Sequence, residues 1–307
     1  MITYVIKRLI QMIPVAIGVT FFVFSIIHIM PGDPARIIAG EAANPEVIEN
    51  LREQLGLNDP FFVQYFRYLG RLVQGDFGTS IRTGLPVTQE IFESRFFITF
   101  QVALVGVAFS SLVGITLGII QATRKNGFID MSLMLISLTG MSMPAFWLAI
   151  LLINLFAVSW QLLPVAGWGT VAQAIMPVLV LASGASATTA RMTRASLIEV
   201  LDQDYIRTAR AKGLSESRII YKHALRNALI PVITLIGLQF GGLLTGAMIT
   251  ETVFAINGLG RLIVESIRNQ NFPVAQGGIL IFSLMFMTVN LIVDILYRFV
   301  NKRIDLT

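Results

Sequence analysis

The sequence contains no cysteine and only two histidines among its 307 residues. Without cysteine, the chain cannot form disulfides, thiolate zinc sites or thiol nucleophiles. We expect an interfacial role for His28 near the outer end of the first apolar block, and packing or hydrogen bonding for His223, rather than metal binding by either. The pattern GxxxxGK[ST], which binds nucleotide phosphates, is also absent. We therefore expect neither a metal nor a cofactor, ATP included, in this chain.

Charged residues are scarce as well: they make up 13% of the chain, against 55% for hydrophobic residues, and the mean hydropathy is +0.74. The apolar residues fall in long blocks, and residues 9–30 contain no Asp, Glu, Lys or Arg. About 20 apolar residues cross the hydrocarbon core of a bilayer. This block exceeds the roughly 7–15 residues of a signal-peptide core, and no cleavage site follows it. It therefore predicts an uncleaved membrane span.

Six such blocks predict an all-α polytopic membrane protein. They cover residues 9–30, 99–122, 131–158, 172–190, 228–250 and 277–297. An even number of spans puts both termini on one side, and most of the Lys and Arg residues fall on that side. Because basic loops stay in the cytoplasm, we predict that both termini are cytoplasmic.

This topology divides the chain into three parts. Residues 1–30 form the N-terminal segment and first span, and residues 31–98 form a loop on the outer side. Residues 99–307 form a five-helix core that contains a cytoplasmic loop at 191–227. Long loops without secondary structure are uncommon, so we expect the external loop to be helical.

Two amphipathic helices are predicted in the external loop. Their start and stop signals are Asn44, Pro45 and Gly56 for the first and Asp59, Pro60 and Gly75 for the second. Their apolar stripes consist of Val47, Ile48, Leu51 and Leu55, and of Phe62, Tyr65, Phe66, Leu69, Leu72 and Val73. We expect a small cap packed on the membrane domain; alternatively, the cap helps to receive substrate or a delivery protein.

The charge of the chain is concentrated in residues 205–227, YIRTARAKGLSESRIIYKHALRN. Gly213 suits the left-handed residue that ends one short helix. Ser215 suits the N-cap of a second helix, with Glu216 in its first turn. The segment is therefore predicted to be two short helices that meet at a glycine turn.

Three interpretations of this segment are open. A row of Arg218, Lys222 and Arg226 would face the anionic lipids of the inner leaflet. Two helices at a glycine turn also occur in DNA-binding proteins, but a DNA-reading domain needs a core of about three helices, so we expect no nucleic acid. Small residues let another protein approach closely, and the first helix has Thr208, Ala209 and Ala211. A protein-docking surface is therefore favoured.

The stretch ARAKGLSESRIIYKHALRNALIPV resembles the cytoplasmic coupling loop of ATP-binding-cassette importer permeases, in the dipeptide, oligopeptide, glutathione and nickel branch. Three further stretches are similar to that branch in the same order: MPGDPA (30–35), QGDFGTS (74–80) and ETVFAINGLGRL (251–262). In the wider superfamily the loop contains Glu-Ala-Ala, then Gly, then Leu-Pro. Aligned on Gly213, this sequence departs from that pattern at Arg207, Thr208 and Arg226.

The resemblance implies the first of the two permease subunits of a type I importer in the bacterial inner membrane. A second, homologous permease would complete the pathway, two cytoplasmic ATPases would bind ATP and Mg, and an external binding protein would deliver substrate. The coupling residues would be Arg207, Thr208, Ala209, Arg210, Ala211, Lys212, Gly213, Leu214, Ser215 and His223. Gly213 would form the bend that an ATPase grips.

Small residues recur at four-residue spacing in the predicted spans, a pattern typical of close helix packing. They are Gly106, Ser110, Gly114 and Gly118 in the second span, ASGASATTA (182–190) in the fourth, and Gly237, Gly241, Gly242 and Gly246 in the fifth. Packing explains most of them, and a minority would line an aqueous pathway. Gln239 is a candidate polar group of that pathway, and Asp294 with Arg298 is expected to form an anchoring ion pair.

The leading hypothesis is a permease subunit of an importer for di- or oligopeptides. Glutathione and chelated nickel are alternatives within the same class of importer. A self-sufficient secondary transporter or channel is an alternative of another class. An intramembrane enzyme is disfavoured because the sequence shows no paired carboxylates, Ser/Lys dyad or metal-ligand helix.

Overall fold

The computed structural model describes residues 2–29, 33–40 and 43–300, with side chains except at 2–4, 27 and 296–300. The regular structure of these residues is helical, with one isolated antiparallel bridge between Thr79 and Pro86. The helices are α1 (Ile2–Ile29), α2 (Pro34–Ala39), α3 (Pro45–Leu55), α4 (Phe61–Val73), α5 (Val87–Phe92), α6 (Arg95–Thr123), α7 (Phe128–Ser142), α8 (Ala145–Leu152), α9 (Val171–Leu201), α10 (Asp204–Ala211), α11 (Glu216–Arg218), α12 (Leu225–Val253), α13 (Leu259–Arg268) and α14 (Phe272–Val300). The prediction of an all-α protein is confirmed.

Five helical segments are long and apolar enough to cross a membrane. They are Val5–Ile26, Val87–Thr123, Val171–Leu201, Glu216–Val253 and Phe272–Ile295. A sixth span exists only if α7 and α8 are counted together, because the chain bends by 106° between Phe128–Ser142 and Ala145–Ser159.

The block predicted as a span over 131–158 therefore consists of two helices, and it is a span only if the two are counted together. Met143 is extended (φ −80°, ψ 129°) and Pro144 follows it. Proline has no N–H to donate and disfavours helical backbone in the residue before it, so the helix breaks there. Hydropathy could not show the break, because both sides of it are apolar. The segment then continues beyond α8 as a π-helix, Ile153–Ser159.

Two helical stretches lie where loops were predicted. Residues 191–201, assigned to the cytoplasmic loop, are the last turns of α9. Hydropathy marks the hydrocarbon core, whereas a helix continues into water wherever its residues allow. The amphipathic helix α13, which begins inside ETVFAINGLGRL, was missed because it lies in a connection between spans; it buries Leu259, Leu262 and Ile263.

The chain forms two compact units. The first contains residues up to 98 together with 257–287, and the second contains 99–256 together with the chain from 288 onward. The boundary at 98 coincides with the end of the predicted external loop.

In the first unit, α4 packs along α1. Phe24 of α1 forms a buried cluster with Tyr65 and Tyr68 of α4. The Tyr65 hydroxyl lies 3.0 Å from Thr20 Oγ1 and donates to the carbonyl oxygen of Ile17 at 3.2 Å. Since Ile17 lies well inside the span Val5–Ile26, α4 accompanies the span over part of its length. The second of the two predicted cap helices is therefore packed on the first span.

The face that α4 turns to α1 differs from the predicted stripe. Tyr65, Leu69 and Leu72 of that stripe do pack there, together with Phe61 and Tyr68. Phe62, Phe66 and Val73 are instead exposed. The N-cap predicted for α4, Asp59, is also wrong. Pro60 occupies the N-cap position and makes no side-chain capping bond. The carboxylate of Asp59 instead accepts a hydrogen bond from Arg67 Nη2 at 2.6 Å.

The start and stop signals of α3 are confirmed. The side chain of Asn44 accepts a hydrogen bond from the Glu46 N–H, and Gly56 is left-handed at φ 66°. Of the predicted apolar stripe, Ile48 is buried, while Val47 and Leu55 remain exposed.

The stretch MPGDPA lies partly outside the described residues, which resume at Asp33. One Asp33 oxygen accepts the Ala35 N–H at 3.1 Å, and the other accepts Arg52 Nε and Nη2 at 3.0 and 2.6 Å. This carboxylate caps α2 and ties it to α3. Burial raises the pKa of Asp33, but the bonds from Arg52 and Ala35 outweigh it, so the pKa lies below its ordinary value of 3.8.

This shift predicts a pH dependence of the α2–α3 connection. Because the folded pKa lies below the unfolded one, the stabilisation is present above the ordinary pKa and is lost as the pH falls through the folded value. We expect Asp33→Asn to accelerate amide hydrogen exchange in α2 several-fold at pH 7, but not at the acidic end, where the wild-type carboxylate is protonated. Hydrogen-exchange mass spectrometry across this range measures the difference. Equal exchange of the two proteins at pH 7 would contradict the assignment.

The stretch QGDFGTS forms a turn within the first unit. Asp76 Oδ1 accepts the Gly78 N–H at 2.8 Å. Ser80 is buried, and its hydroxyl accepts a 2.9 Å hydrogen bond from Asn271 Nδ2. The Ile81 N–H donates to Asn271 Oδ1 at 3.1 Å. The two atoms of this amide therefore hold the turn against the start of α14.

In the second unit, the glycines of α6 face α9. A Cβ on Gly114 would lie 2.6 Å from Thr189 Cβ, and one on Gly118 would lie 2.5 Å from Thr193 Cβ. Only glycine permits this approach, since side-chain atoms at these distances would overlap. The packing explanation of this row of small residues, which meets the ASGASATTA face of α9, is thus confirmed.

Candidate functional site

The basic segment begins where α9 ends at Leu201, and α10 follows almost at once. The helix α10 buries Ile206 and Ala209 on one side. These residues join a cluster that includes Leu197 of α9 and Ile219 and Ala224 beyond the glycine turn. The two short helices therefore pack against the ends of the long helices and do not form a separate loop.

The glycine turn has the geometry of a Schellman motif. Gly213 is left-handed at φ 78°. Its N–H bonds to the Arg210 carbonyl at 2.9 Å, and the Leu214 N–H bonds to the Ala209 carbonyl at 3.3 Å. These two bonds satisfy carbonyls at the helix end, and the left-handed residue is one that only glycine adopts without strain. The prediction for Gly213 is confirmed in conformation.

Two side-chain contacts brace the turn. Arg210 donates from Nε to Glu216 Oε1 at 2.7 Å and from Nη2 to Oε2 at 3.3 Å. This paired contact joins the helices on either side of Gly213. On the other side of the segment, Asn227 Nδ2 donates to the Tyr205 hydroxyl at 2.9 Å. Both contacts are solvent-exposed, so each one stabilises the turn only modestly.

The second short helix differs from the prediction. Ser215 occupies the N-cap position, but its side chain makes no capping hydrogen bond. The predicted regular helix changes after three residues into a π-helix, Ile219–Ala224, which runs into α12. A π-helix bonds residues five apart, so Arg218, Lys222 and Arg226 are exposed but do not keep the angular spacing of an α-helical row.

The predicted coupling residues fall into two groups. The exposed ones form what we call the turn surface: Arg207, Thr208, Arg210, Ala211, Lys212, Gly213 and Ser215. Leu214 and His223 are half-buried, and Ala209 is only 9% exposed. The methyl group of Ala209 therefore packs in the chain's own core. Its small size serves that packing rather than the approach of another protein.

The pathway candidate Gln239 links two helices. Its Oε1 accepts from Thr189 Oγ1 at 3.1 Å, and its Nε2 donates to the Ala185 carbonyl at 3.3 Å. Both ends of the amide therefore bond to α9. Among the glycines of α12, Gly237 faces Val293 and Gly246 faces Leu181, Gly241 is buried, and Gly242 is exposed. The side chain of Arg298 lies outside the described residues, so its pairing with Asp294 stays a prediction.

The structure also shows a buried ion pair that the sequence analysis missed. Asp130 in the first turn of α7 is 3% exposed, and its two oxygens accept Arg194 Nε at 2.8 Å and Nη2 at 2.7 Å. The Asn126 N–H donates to the same carboxylate at 2.9 Å. An acidic residue at the edge of an apolar block was the available signal, since such charges are usually paired.

A second buried carboxylate lies in ETVFAINGLGRL. Glu251 is fully buried at the end of α12 and accepts a hydrogen bond from Thr99 Oγ1 at 2.5 Å. The Ile256 N–H bonds back to the Glu251 carbonyl at 2.8 Å, and the Gly167 N–H bonds to the Phe254 carbonyl at 2.9 Å. This stretch therefore forms a folded turn at the end of α12.

Comparison with known proteins identifies the kind of molecule. The family described as "Binding-protein-dependent transport system inner membrane component" matches residues 114–306. The chain belongs to this family. The N-terminal family of the same systems, "Binding-prot-dependent transport system membrane comp, N-term", matches residues 1–101 of the permease.

Individual relatives extend over the whole permease. It is 46% identical over 304 residues to the glutathione transport system permease protein GsiC of Escherichia coli (strain K12), covering 99% of each chain. It is 45% identical over 304 residues, with the same coverage, to the protein of that name from Salmonella paratyphi A (strain ATCC 9150 / SARB42). The permease is thus an ABC-importer component of the bacterial inner membrane, as the resemblance implied.

Solved structures support the fold. The inward-facing MetNI methionine ABC transporter matches with a TM-score of 0.58 at 19% identity, over 67% of the permease and 94% of that chain. An amino acid ABC transporter solved with histidines matches with a TM-score of 0.52 at 18% identity, over 67% of the permease and 92% of that chain. At this identity, the similarity shows the fold alone.

Proposed function

We propose that this permease belongs to an ATP-driven importer of short peptides, with glutathione as the first substrate to test. The full-length identity of 46% to a glutathione permease carries this proposal. A dipeptide or oligopeptide is the coarser form of the same substrate class. The permease itself would provide part of the membrane pathway and no catalytic group.

The turn surface is the proposed contact with a cytoplasmic ATPase. It is braced on both sides of Gly213 by side-chain bonds and is anchored through Ile206 and Ala209 to the ends of the long helices. A movement imposed on such a rigid element passes directly to α9 and α12. Mechanical coupling requires such a firm connection to the membrane helices, whereas lipid binding by a flexible loop does not.

The remaining partners follow from the same proposal. An external binding protein would supply substrate, a second homologous permease would complete the pathway, and two ATPases would bind ATP and Mg. The bilayer contacts the exposed apolar residues of the spans. No part of the proposal requires nucleic acid, since the helices beside Gly213 share the core of the membrane helices instead of forming a domain of their own.

Reconstitution tests the function. We expect liposomes that contain the permease, its partner permease and both ATPases to accumulate glutathione only when ATP is inside and binding protein is outside. Omission of the ATPases should reduce accumulation to the level of empty liposomes. Accumulation by the permease alone would instead support a secondary transporter or channel. A dialanine competitor, compared with free alanine, measures whether the system accepts peptides other than glutathione.

A further inference from the structure

A cavity of about 810 Å³ lies inside the first unit. Its walls come from the end of α1, from α3 and α4, from the QGDFGTS turn and from the start of α14. Pockets of about 300–1,000 Å³ hold small organic ligands in other proteins. The cavity is therefore large enough for a compound of a few amino acids, and it lies in the part of the chain predicted to face outward.

The walls of this cavity are held in place by hydrogen bonds. The His28 ring contacts the Phe24 carbonyl at 2.9 Å and Gln64 Oε1 at 3.1 Å. Gln64 Nε2 donates to the carbonyls of Leu57 and Asp59 at 3.0 and 2.8 Å. These bonds preorganise the wall on the His28 side of the cavity.

The hydroxyl of Tyr68 is a buried polar group that lacks a partner. Tyr68 is 8% exposed and lines the cavity, and its oxygen has no hydrogen-bond partner among the described residues. Burial raises the pKa of Tyr68 well above its usual value, so the hydroxyl stays protonated and able to donate. Buried polar groups are almost always hydrogen-bonded, so this one is suited to meet a polar atom of a ligand.

Two opposite charges line the same cavity. Arg71 lies on α4, three residues after Tyr68 and hence on a neighbouring part of the helix surface, and Glu53 lies on α3. Both residues are exposed, and neither side chain makes a hydrogen bond or an ion pair with another described residue. By contrast, Arg67 is already paired with Asp59 at 2.6 Å. Arg71 therefore offers a cation and Glu53 an anion, whereas Asp76, which also lines the cavity, already accepts the Gly78 N–H at 2.8 Å.

We propose that this cavity binds the zwitterionic form of a peptide of two or three residues on its way to the membrane pathway. The peptide carboxylate meets Arg71 and the Tyr68 hydroxyl, and the amino group meets Glu53. Phe24, Ile38 and Phe272 provide apolar wall for the side chains of the peptide. The proposal rests on the proposed function for the class of ligand, but it adds a site on the permease itself.

The absence of cysteine makes a direct test possible. Thr79 is exposed and lines the cavity, so Thr79→Cys places a single thiol at its wall. Val73→Cys is the matched control, because Val73 is 88% exposed at the end of α4 and does not line the cavity. The rate of maleimide labelling is measured on this chain in the assembled complex, without ATP and without binding protein, as dialanine is added. N-acetyl-dialanine amide, which lacks both charges, is the ligand control.

We expect dialanine to slow labelling of Thr79→Cys several-fold and to leave Val73→Cys unchanged. Arg71→Gln and Tyr68→Phe each remove one polar contact and should raise the dialanine concentration for half-protection by about tenfold. Equal protection by the capped peptide, or no protection at all, would overturn the proposal. Protection that appears only when binding protein is added in a second measurement would also overturn the proposal, and it would assign the protection to that partner. Because uptake is measured separately, ATP-driven uptake without protection would reject the cavity and leave the proposed function standing.

Discussion

Replacement of Gly213 by valine should abolish most transport while leaving the protein in the membrane. The left-handed backbone at φ 78° costs an L-residue roughly 1–2 kcal/mol, and a β-branched side chain is still less compatible with it. The Schellman bonds would loosen, and Arg210 would no longer face Glu216. A strain of about 1.4 kcal/mol lowers the ratio of formed to loosened turn by about tenfold. We therefore expect at least about a tenfold loss of ATP-driven uptake. Uptake and ATP hydrolysis are measured on the same reconstituted complex.

A control variant separates the loss of coupling at Gly213 from the general effect of backbone strain. A Cβ on Gly213 would meet no atom within 4 Å, so valine introduces backbone strain without an internal clash. Gly84 in the external loop has the same property at φ 72°, so Gly84→Val is the matched control and should retain uptake. Gly213→Asn is the graded variant, because asparagine tolerates left-handed backbone. Normal uptake by Gly213→Val would reject the coupling assignment.

Loss of the Asp130 carboxylate should have the largest effect on stability. Asp130→Ala leaves the partly buried Arg194 guanidinium without its partner and the Asn126 N–H without an acceptor. Removal of one member of a buried ion pair typically costs about 3–5 kcal/mol, and the lower end applies because the Arg194 side chain is 24% exposed. We expect less folded protein in the membrane and a lower melting temperature of the purified complex.

A double variant tests whether the ion pair itself, rather than any change at position 130, provides the stability. Asp130→Asn combined with Arg194→Gln removes both charges and should recover most of the stability, because no unpaired charge is left behind. Asp204→Ala is the control for an exposed pair, since the side chains of Asp204 and Arg207 are 96% and 71% exposed. It should change the melting temperature very little. A double variant as unstable as Asp130→Ala would show that the charge interaction is not the cause.

Some local features of the helices were predictable because their causes are local, although the caps expected from Asp59 and Ser215 did not form. Asn44, Gly56 and Gly213 act through their own backbone and the next few residues, and each behaves in the structure as its sequence context predicts. The apolar blocks likewise identify spans, because the bilayer acts on each segment separately. The break at Pro144 is an instructive failure. A local signal was present there, but a continuous apolar run concealed it.

Features that depend on which helix meets which were not predictable. The side of α4 that packs on α1 could not be chosen from sequence, because both of its faces carry aromatic residues. The pairing of Asp130 with Arg194 joins residues far apart in the chain. The two bonds from Gln239 to α9 could not be foreseen either, and its place in the pathway stays a prediction.

The sequence by itself determined that the chain crosses a membrane, that its charge gathers around Gly213, and which family it resembles. These conclusions depend on composition, on short-range backbone preferences and on ordered motifs, and the order of the residues alone gives all three. Only the tertiary structure decided that Ala209 faces the core while Thr208 faces outward, and that Tyr68, Arg71 and Glu53 line one cavity. The physical reason is that burial and pairing are properties of neighbours in space, and the packing of the helices sets those neighbours.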